Sequence, residues 1–357
     1  MKKTALIMAG GHGERFWPRS RQNLPKQFLS LTSDGKTLIQ RTVERILPLL
    51  DSIEDVYIST SFDYKKLCME QLPQIPAQNI ICEPVQRNTA PCIGLSAAFI
   101  AKKYEDAVMI VLPSDHLIKY EQIFRDTINE ASAITENGDN LVTIGITPTY
   151  PEVGYGYIKF NTEKANGKGY SVDHFAEKPS IEVAKEYVSS NEYLWNSGMF
   201  VWRVSTIMDA FNHIMPDVGE GLSIIKDAVG TSAEKDIIDK TFPSFPSISI
   251  DYGIMEKSDK IFTIPGSFGW DDVGSWLAMD RIRKSNEFGN ITDGNVITIK
   301  TNDCIIQAKD KLIACVGLKD LVIVDTDDAT LICSKEDTSD IKKVIETLKT
   351  FNKNELL

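Results

Sequence analysis

Three features of this 357-residue chain predict an α/β fold on a doubly wound, mixed but mostly parallel sheet. In the first half, short apolar runs alternate with amphipathic stretches at helical spacing, the rhythm of strand–helix–strand units. Residues 107–112 (AVMIVL) form an uninterrupted apolar run, as a central parallel strand does when both its faces are covered. The opening run at residues 5–8 (ALIM) leads directly into Gly10, Gly11 and Gly13, so a buried strand ends in a tight, backbone-rich loop.

The elements follow in order. Residues 37–50 (TLIQRTVERILPLL) space their apolar side chains as an amphipathic helix. Residues 55–60 read as a strand, 63–72 as a second helix and 79–82 as another short strand. Asn88 or Thr89 then caps an Ala- and Ile-rich helix with Pro91 in its first turn. After 107–112 come a helix at 120–136 and a strand at 141–146. From residue 148 the strands are longer and more polar, with a short helix at 181–189 and helical segments over 204–239. Past residue 290 short strands dominate, without a clean hexapeptide repeat, so a few coils of β-helix or a small β-sheet both fit. A helix at 339–351 closes the chain. Two domains are expected, 1–289 and a small β-rich 290–357.

Composition narrows the function. A net charge of −11 and no basic stripe argue against nucleic acid as a partner. No stretch approaches the ~20 apolar residues of a membrane helix, so no membrane partner is expected. The start, MKKTALIMAGG, superficially resembles a signal peptide, but its apolar core spans only residues 5–9 and serves better as the first strand. A cytoplasmic location is therefore expected. Six cysteines without a C-x-x-C pair read as reduced, mostly buried thiols, and four histidines show no zinc spacing.

Against that acidic background, residues 11–26 are cationic, with Arg15, Arg19, Arg21 and Lys26 set against Glu14. Such a loop suits a small polyanion, for example a nucleoside triphosphate. It is not a Walker loop, because G-x-x-x-x-G-K-[ST] is absent, nor a dinucleotide fingerprint, because Phe16 stands where the third glycine belongs. The glycines alone could be an ordinary turn; with Arg15, W-P and P-K-Q they point to a ligand.

Further candidates sit at predicted strand ends, where open α/β sheets bind ligands. In EPVQRNTAP, the Glu83 carboxylate could accept from ligand N–H groups and the Asn88 amide could donate, with Arg87 beside them; a surface ion pair and a helix cap are the plainer reading. Asp115, in PSDHLI just past the central strand, stands where a metal–phosphate complex would lie, although an aspartate there also makes a turn. Gly154 and Gly156 around Tyr155 would let a backbone approach a sugar closely. Glu177 and Lys178, in FAEKP, could offer a carboxylate to hydroxyls and an ammonium to a phosphate, although an isolated E-K-P is more simply a solvated strand end. Asn196, in WNSGMF, can both donate to and accept from neighbouring hydroxyls, or can simply form a turn before Gly198. Asp251 and Tyr252, expected beside a strand end, are secondary candidates. GWDDVGSW supplies the paired Asp271 and Asp272, and one carboxylate from here with Asp115 could hold Mg2+.

These strings, in this order, resemble the sugar-nucleotide pyrophosphorylases, a family of nucleotidyltransferases. Their first-strand signature G-G-x-G-[ST]-R-[LF]-x-P followed by P-K is matched by AGGHGERFWPRSR…PKQFL, in the form most similar to the mannose-1-phosphate guanylyltransferases. Glu14 departs from the usual Ser or Thr. The resemblance implies a Rossmann-like catalytic domain over 1–289, followed by a small domain that can be a short left-handed β-helix used in oligomer contacts. It implies GTP and mannose 1-phosphate as substrates, GDP-mannose and pyrophosphate as products, Mg2+ as cofactor and a homodimer. Arg15, Lys26 and Lys178 would be catalytic. Ala9, Gly10, Gly11, Gly13, Glu83, Arg87, Asn88 and Asp115 would bind nucleotide. Gly156, Glu177, Lys178 and Asn196 would bind sugar, and Asp115 with Asp272, rather than Asp271, would hold the metal. Another sugar 1-phosphate or nucleotide, or a silent nucleotide-sugar sensor, remains open. Such a sensor would be expected to lose at least one of Arg15, Lys26, Asp115, Lys178 and Asp272, and all five are present.

Overall fold

A computed structural model describes residues 1–11 and 13–357, so His12 lies outside the described residues. The chain divides into two units. The first comprises Met1–Gly10, Thr42–Ser114 and Ile118–Trp270. The second comprises Gly11–Arg41, Asp115–Leu117 and Asp271–Leu357.

The first half of the chain forms β1 (Lys3–Met8), α1 (Leu38–Ile46), β2 (Val56–Ser61), α2 (Lys65–Gln71), β3 (Ile80–Glu83), α3 (Thr89–Lys103) and β4 (Val108–Pro113). After the two-residue β5 (Leu117–Ile118) follow α4 (Glu121–Glu136), β6 (Leu141–Ile146), β7 (Tyr157–Asn166), β8 (Gly169–Ala176), α5 (Ile181–Ser190) and β9 (Tyr193–Arg203). Helices α6 (Val204–Ile214), α7 (Pro216–Ala228), α8 (Glu234–Thr241) and α9 (Ile250–Gly253) lead to β10 (Ile261–Gly266).

The first unit is organised on a sheet of order β3-β2-β1-β4-β9-β6-β10-β8-β7. The pairs β3–β2, β2–β1, β1–β4 and β6–β10 are parallel, whereas β9 and β8 run against their neighbours. Side chains alternate across a strand, and β4 shows the consequence. Val108, Ile110 and Leu112 enter a core with Phe124 and Ile128 of α4, while Met109 and Val111 enter one with Ile93 of α3 and Leu222 of α7. Helices thus cover both faces of the strand that was expected to be central.

Three local expectations need correction. The helix expected over 37–50 stops at Ile46 and tightens into a 3-10 turn, Leu47–Leu49, because Pro48 has no N–H to continue the ladder. Asp251 and Tyr252 lie in the short helix α9, capped by Ser249, and not beside a strand end. Asn196 lies within β9 and not in a turn.

After β11 (Trp270–Asp271), where the first unit ends, the second unit includes α10 (Met279–Ile282), β12 (Ile291–Asp293), β13 (Val296–Ile299), β14 (Ile305–Gln307), β15 (Ile313–Val316), β16 (Leu321–Asp325), β17 (Thr330–Ser334) and α11 (Ile341–Thr350). Strands β12, β14 and β16 stack in parallel, β13 and β15 pair in parallel, and β17 closes antiparallel on β16. The stacked residues Ile291, Ile305 and Val322 are 14 and 17 residues apart, so the coils are unequal and no hexapeptide repeat is visible. Their side chains share a core with Phe16, Trp17, Trp276, Ile341, Ile345 and Leu357.

Candidate active site

The glycines of the loop have different tasks. A Cβ on Gly10 or Gly11 would meet nothing within 4 Å, and among the described residues nothing accepts from their N–H groups. Their carbonyls are held, that of Gly10 by Gln86 Nε2 at 3.0 Å and that of Gly11 by Gln27 Nε2 at 2.9 Å. Gly13 has φ +60°, and its Cβ would lie 2.5 Å from Lys26 Cβ and 2.6 Å from Lys26 N. Only glycine fits there, because the loop packs directly on Lys26. Ala9 is buried, donating to the Ser59 carbonyl at 2.7 Å and accepting from Thr60 Oγ1 at 3.0 Å.

Lys26 is the centre of the second unit's charged group. It is 7% exposed, and Nζ lies 2.6 Å from Asp115 Oδ2, 2.8 Å from the Asp272 carbonyl and 3.1 Å from the Val273 carbonyl. Three acceptors match the three protons of an ammonium. Burial alone would raise the Asp115 carboxyl, but the Lys26 ammonium and His116 outweigh it and hold it below the usual range. The neighbouring aspartates differ. Asp271 pairs with Arg281, whose Nη2 lies 3.0 Å from Oδ1, and also accepts from the Val273 N–H at 2.8 Å. Asp272 Oδ1 accepts from the Gly274 N–H at 3.1 Å. Arg15 is exposed and has no partner among the described residues.

Asp115 and Asp272 offer hard oxygen donors, and a cationic nitrogen already sits against both residues, so the donor set fits Mg2+. Among the described residues no group of three or more His, Cys, Asp or Glu side chains is placed to hold a metal. Phosphate oxygens and water would have to complete any such shell.

In the first unit the predicted sugar readers come together. The Asn196 N–H donates to the Gly156 carbonyl at 2.8 Å, and its Nδ2 donates to Asp251 Oδ1 at 2.8 Å. A Cβ on Gly156 would lie 3.3 Å from Glu177 Oε1 and 3.7 Å from Asn196 Cβ, so the glycine leaves room between these two side chains. Tyr155, next to it, packs edge-on against Trp195 and Trp270 and anchors the loop. Burial, with the Glu177 charge adding to it, pushes the Asp251 carboxyl up, and the bond from Asn196 only partly opposes this. Lys178 is exposed, with φ +33° and no partner among the described residues.

The residues expected on the base side are less alike. Asn88, exposed with φ +67°, accepts the Thr89 N–H and caps α3 as expected. Arg87 Nη2 donates to the Pro243 carbonyl at 2.5 Å. The Glu83 carboxyl faces the interior, accepting from Ser59 Oγ at 3.1 Å and from the Cys92 thiol, and burial raises it. An open cavity of about 1090 Å³ runs along β3, with Glu83, Tyr57, Phe99 and Ile238 among its lining residues. Sequence reasoning missed Ser59, Gln27 and Gln86, and it gave no role to Asp251; only the long-range pairings reveal them.

Comparison with known proteins gives this geometry its family. The family model described as "Nucleotidyl transferase" matches residues 4–287, and "MannoseP isomerase/GMP-like beta-helix domain" matches residues 294–348. A Salmonella montevideo protein named mannose-1-phosphate guanylyltransferase is 39% identical over 361 residues, covering 99% of this chain and 75% of that protein. The chain belongs to the mannose-1-phosphate guanylyltransferase family of nucleotidyl transferases. An Escherichia coli K12 guanylyltransferase of the same name is 38% identical over 98% of this chain and 74% of its own length. A crystal structure described as mannose-1-phosphate geranyltransferase from Thermus thermophilus aligns with a TM-score of 0.88 at 32% identity, covering 98% of this chain and all of that one. The β-helix match agrees with the stacked parallel strands of residues 291–325. Among the described residues no helix is long and apolar enough to cross a membrane.

Proposed function

We propose that the chain joins GTP to α-D-mannose 1-phosphate, giving GDP-mannose and pyrophosphate. Near-full-length similarity to guanylyltransferases carries the reading, and the presence of Arg15, Lys26, Asp115, Lys178 and Asp272 supports it. A sugar-phosphate oxygen attacks the α-phosphorus in line, a new P–O bond forms, the α–β bridging bond breaks, and pyrophosphate leaves. Such a transfer depends on positioning and charge neutralisation and needs no protein nucleophile.

The roles follow from the donors present. The unbonded N–H groups of Gly10 and Gly11 would face phosphate oxygens, with Ala9 and Gly13 fixing the path of the loop. Arg15 would grip the departing pyrophosphate. Lys26, fully partnered here, would have to exchange an acceptor to stabilise the α-phosphate. Asp115 and Asp272 would hold Mg2+, which supplies neutralisation of phosphate charge. Glu83, Arg87 and Asn88 would serve the base side, with Glu83 acting from the interior. Lys178 would hold the attacking phosphate, and Gly156, Glu177 and Asn196 would meet the sugar hydroxyls. A homodimer, a cytoplasmic location and a division at residue 289 into catalytic and β-rich domains belong to the same reading. The two family matches, 4–287 and 294–348, support that division.

Pyrophosphate release with Mg2+ across four nucleoside triphosphates and three sugar 1-phosphates tests it. GTP with mannose 1-phosphate should dominate. Dominance of another pair would overturn the substrate assignment, and no release from any pair would overturn catalysis.

A further inference from the structure

We propose that α11 and the residues after it are a positioning brace for Arg15, and that Glu14 is part of that brace. The proposal rests on the reading of Arg15 as a pyrophosphate ligand. Arg15 is the middle residue of a 3-10 turn, Glu14–Phe16. Such a turn has three residues per revolution, so successive side chains project about 120° apart. Fixing the first and third therefore aims the second.

Both flanks are fixed within the second unit. Glu14 Oε1 lies 3.5 Å from Lys349 Nζ on α11. Phe16 is fully buried, with its ring 5.0 Å from that of Trp276. Trp17 extends the hold by donating through Nε1 to the Leu356 carbonyl at 2.8 Å and accepting from Trp276 Nε1 at 3.1 Å. Ile345 and Leu357 share a small cavity wall with Glu14 and Trp17. What remains is the third direction, and there Arg15 is exposed without a partner among the described residues. Glu14, where many relatives of this signature carry Ser or Thr, thereby gains a function: its carboxylate reaches towards Lys349 of α11.

An exposed ion pair contributes little alone, so the indole hydrogen bond should carry more of the effect. The test uses Trp17→Phe, which keeps the ring and removes the donor, together with Lys349→Glu and the Glu14→Lys/Lys349→Glu exchange. Trp17→Phe should raise KM for GTP about three- to tenfold, the worth of one hydrogen bond. Lys349→Glu should raise it less, and the exchange should bring it back to within about twofold of wild type, as a pairwise coupling requires. KM for mannose 1-phosphate should not move. A lowered melting temperature with unchanged KM for GTP, or an exchange no better than Lys349→Glu alone, would overturn the brace. If the wild type releases no pyrophosphate, the functional reading fails by itself, and calorimetric GTP affinities of the same variants still decide the brace.

Discussion

Asn196 donates through Nδ2 to Asp251 Oδ1 at 2.8 Å while its own Oδ1 accepts from the Gly198 N–H at 3.1 Å. Turning the amide over would set an oxygen against the carboxylate and a donor against a donor, so one orientation is enforced. One N–H and one lone pair remain in fixed directions. Asp251→Asn removes the charge from that bond and leaves the amide held by Gly198 alone. Its KM for mannose 1-phosphate should rise about tenfold, the loss of a charge-assisted bond, with KM for GTP unchanged. Steady-state kinetics with each substrate varied in turn checks this, and equal rises in both constants would contradict it.

Glu83 makes a pH prediction. Burial raises its carboxyl above the ordinary 4.5, opposed in part by Cys92 and Ser59. The folded protein thus keeps this proton to higher pH than the unfolded chain does. The group's stabilising contribution is complete below about pH 4.5 and is lost as pH rises through the raised value. Glu83→Gln retains an acceptor for Ser59 and removes the titration. Its urea midpoint should exceed that of wild type at neutral pH, and the difference should vanish near pH 4. A difference constant with pH would refute the assignment.

Gly13 and Gly11 should respond differently to the same substitution. Gly13→Ala drives a Cβ to 2.5 Å from Lys26 Cβ at φ +60°, and relief requires backbone movement. A loss of stability of about 2 kcal/mol, combining overpacking with a left-handed residue, is expected in denaturant unfolding. Gly11→Ala meets open space and should keep its unfolding midpoint while raising KM for GTP.

Much of the architecture was legible because it is local. The strand at residues 141–146 is mostly apolar, and the structure has Leu141–Ile146 with the same bounds, buried throughout. Asn88 caps α3 as its place before T-A-P implied. What stayed hidden depends on contacts distant in sequence. Periodicity speaks for a few residues either way, so it could not bring Asp251 to Asn196 across 55 positions, or seat Lys26 beneath Gly13. It also could not show that Glu83 turns inward, since that depends on Ser59 in the neighbouring strand.

The paired aspartates should separate in metal binding. Asp271 is committed to Arg281, and Asp272 supplies the backbone oxygen that faces Lys26. Asp272→Asn and Asp115→Asn should each weaken Mn2+ binding, read by electron paramagnetic resonance, at least about tenfold, as loss of a carboxylate ligand does. Asp271→Asn should leave Mn2+ affinity within about twofold and act on stability alone, as loss of a partly exposed ion pair does. Equal affinities in all three would remove the metal assignment.

The second unit is assembled from segments far apart in the sequence: Phe16 and Trp17 share a core with Ile341, Ile345 and Leu357. A ribosome makes the glycine loop long before Trp276 and the other distant partners of that loop. Until those partners emerge, Phe16 and Trp17 can bury themselves only against earlier members of that core such as Leu29, Leu31 and Leu38. Their early exposure makes the nascent chain a natural client for chaperones.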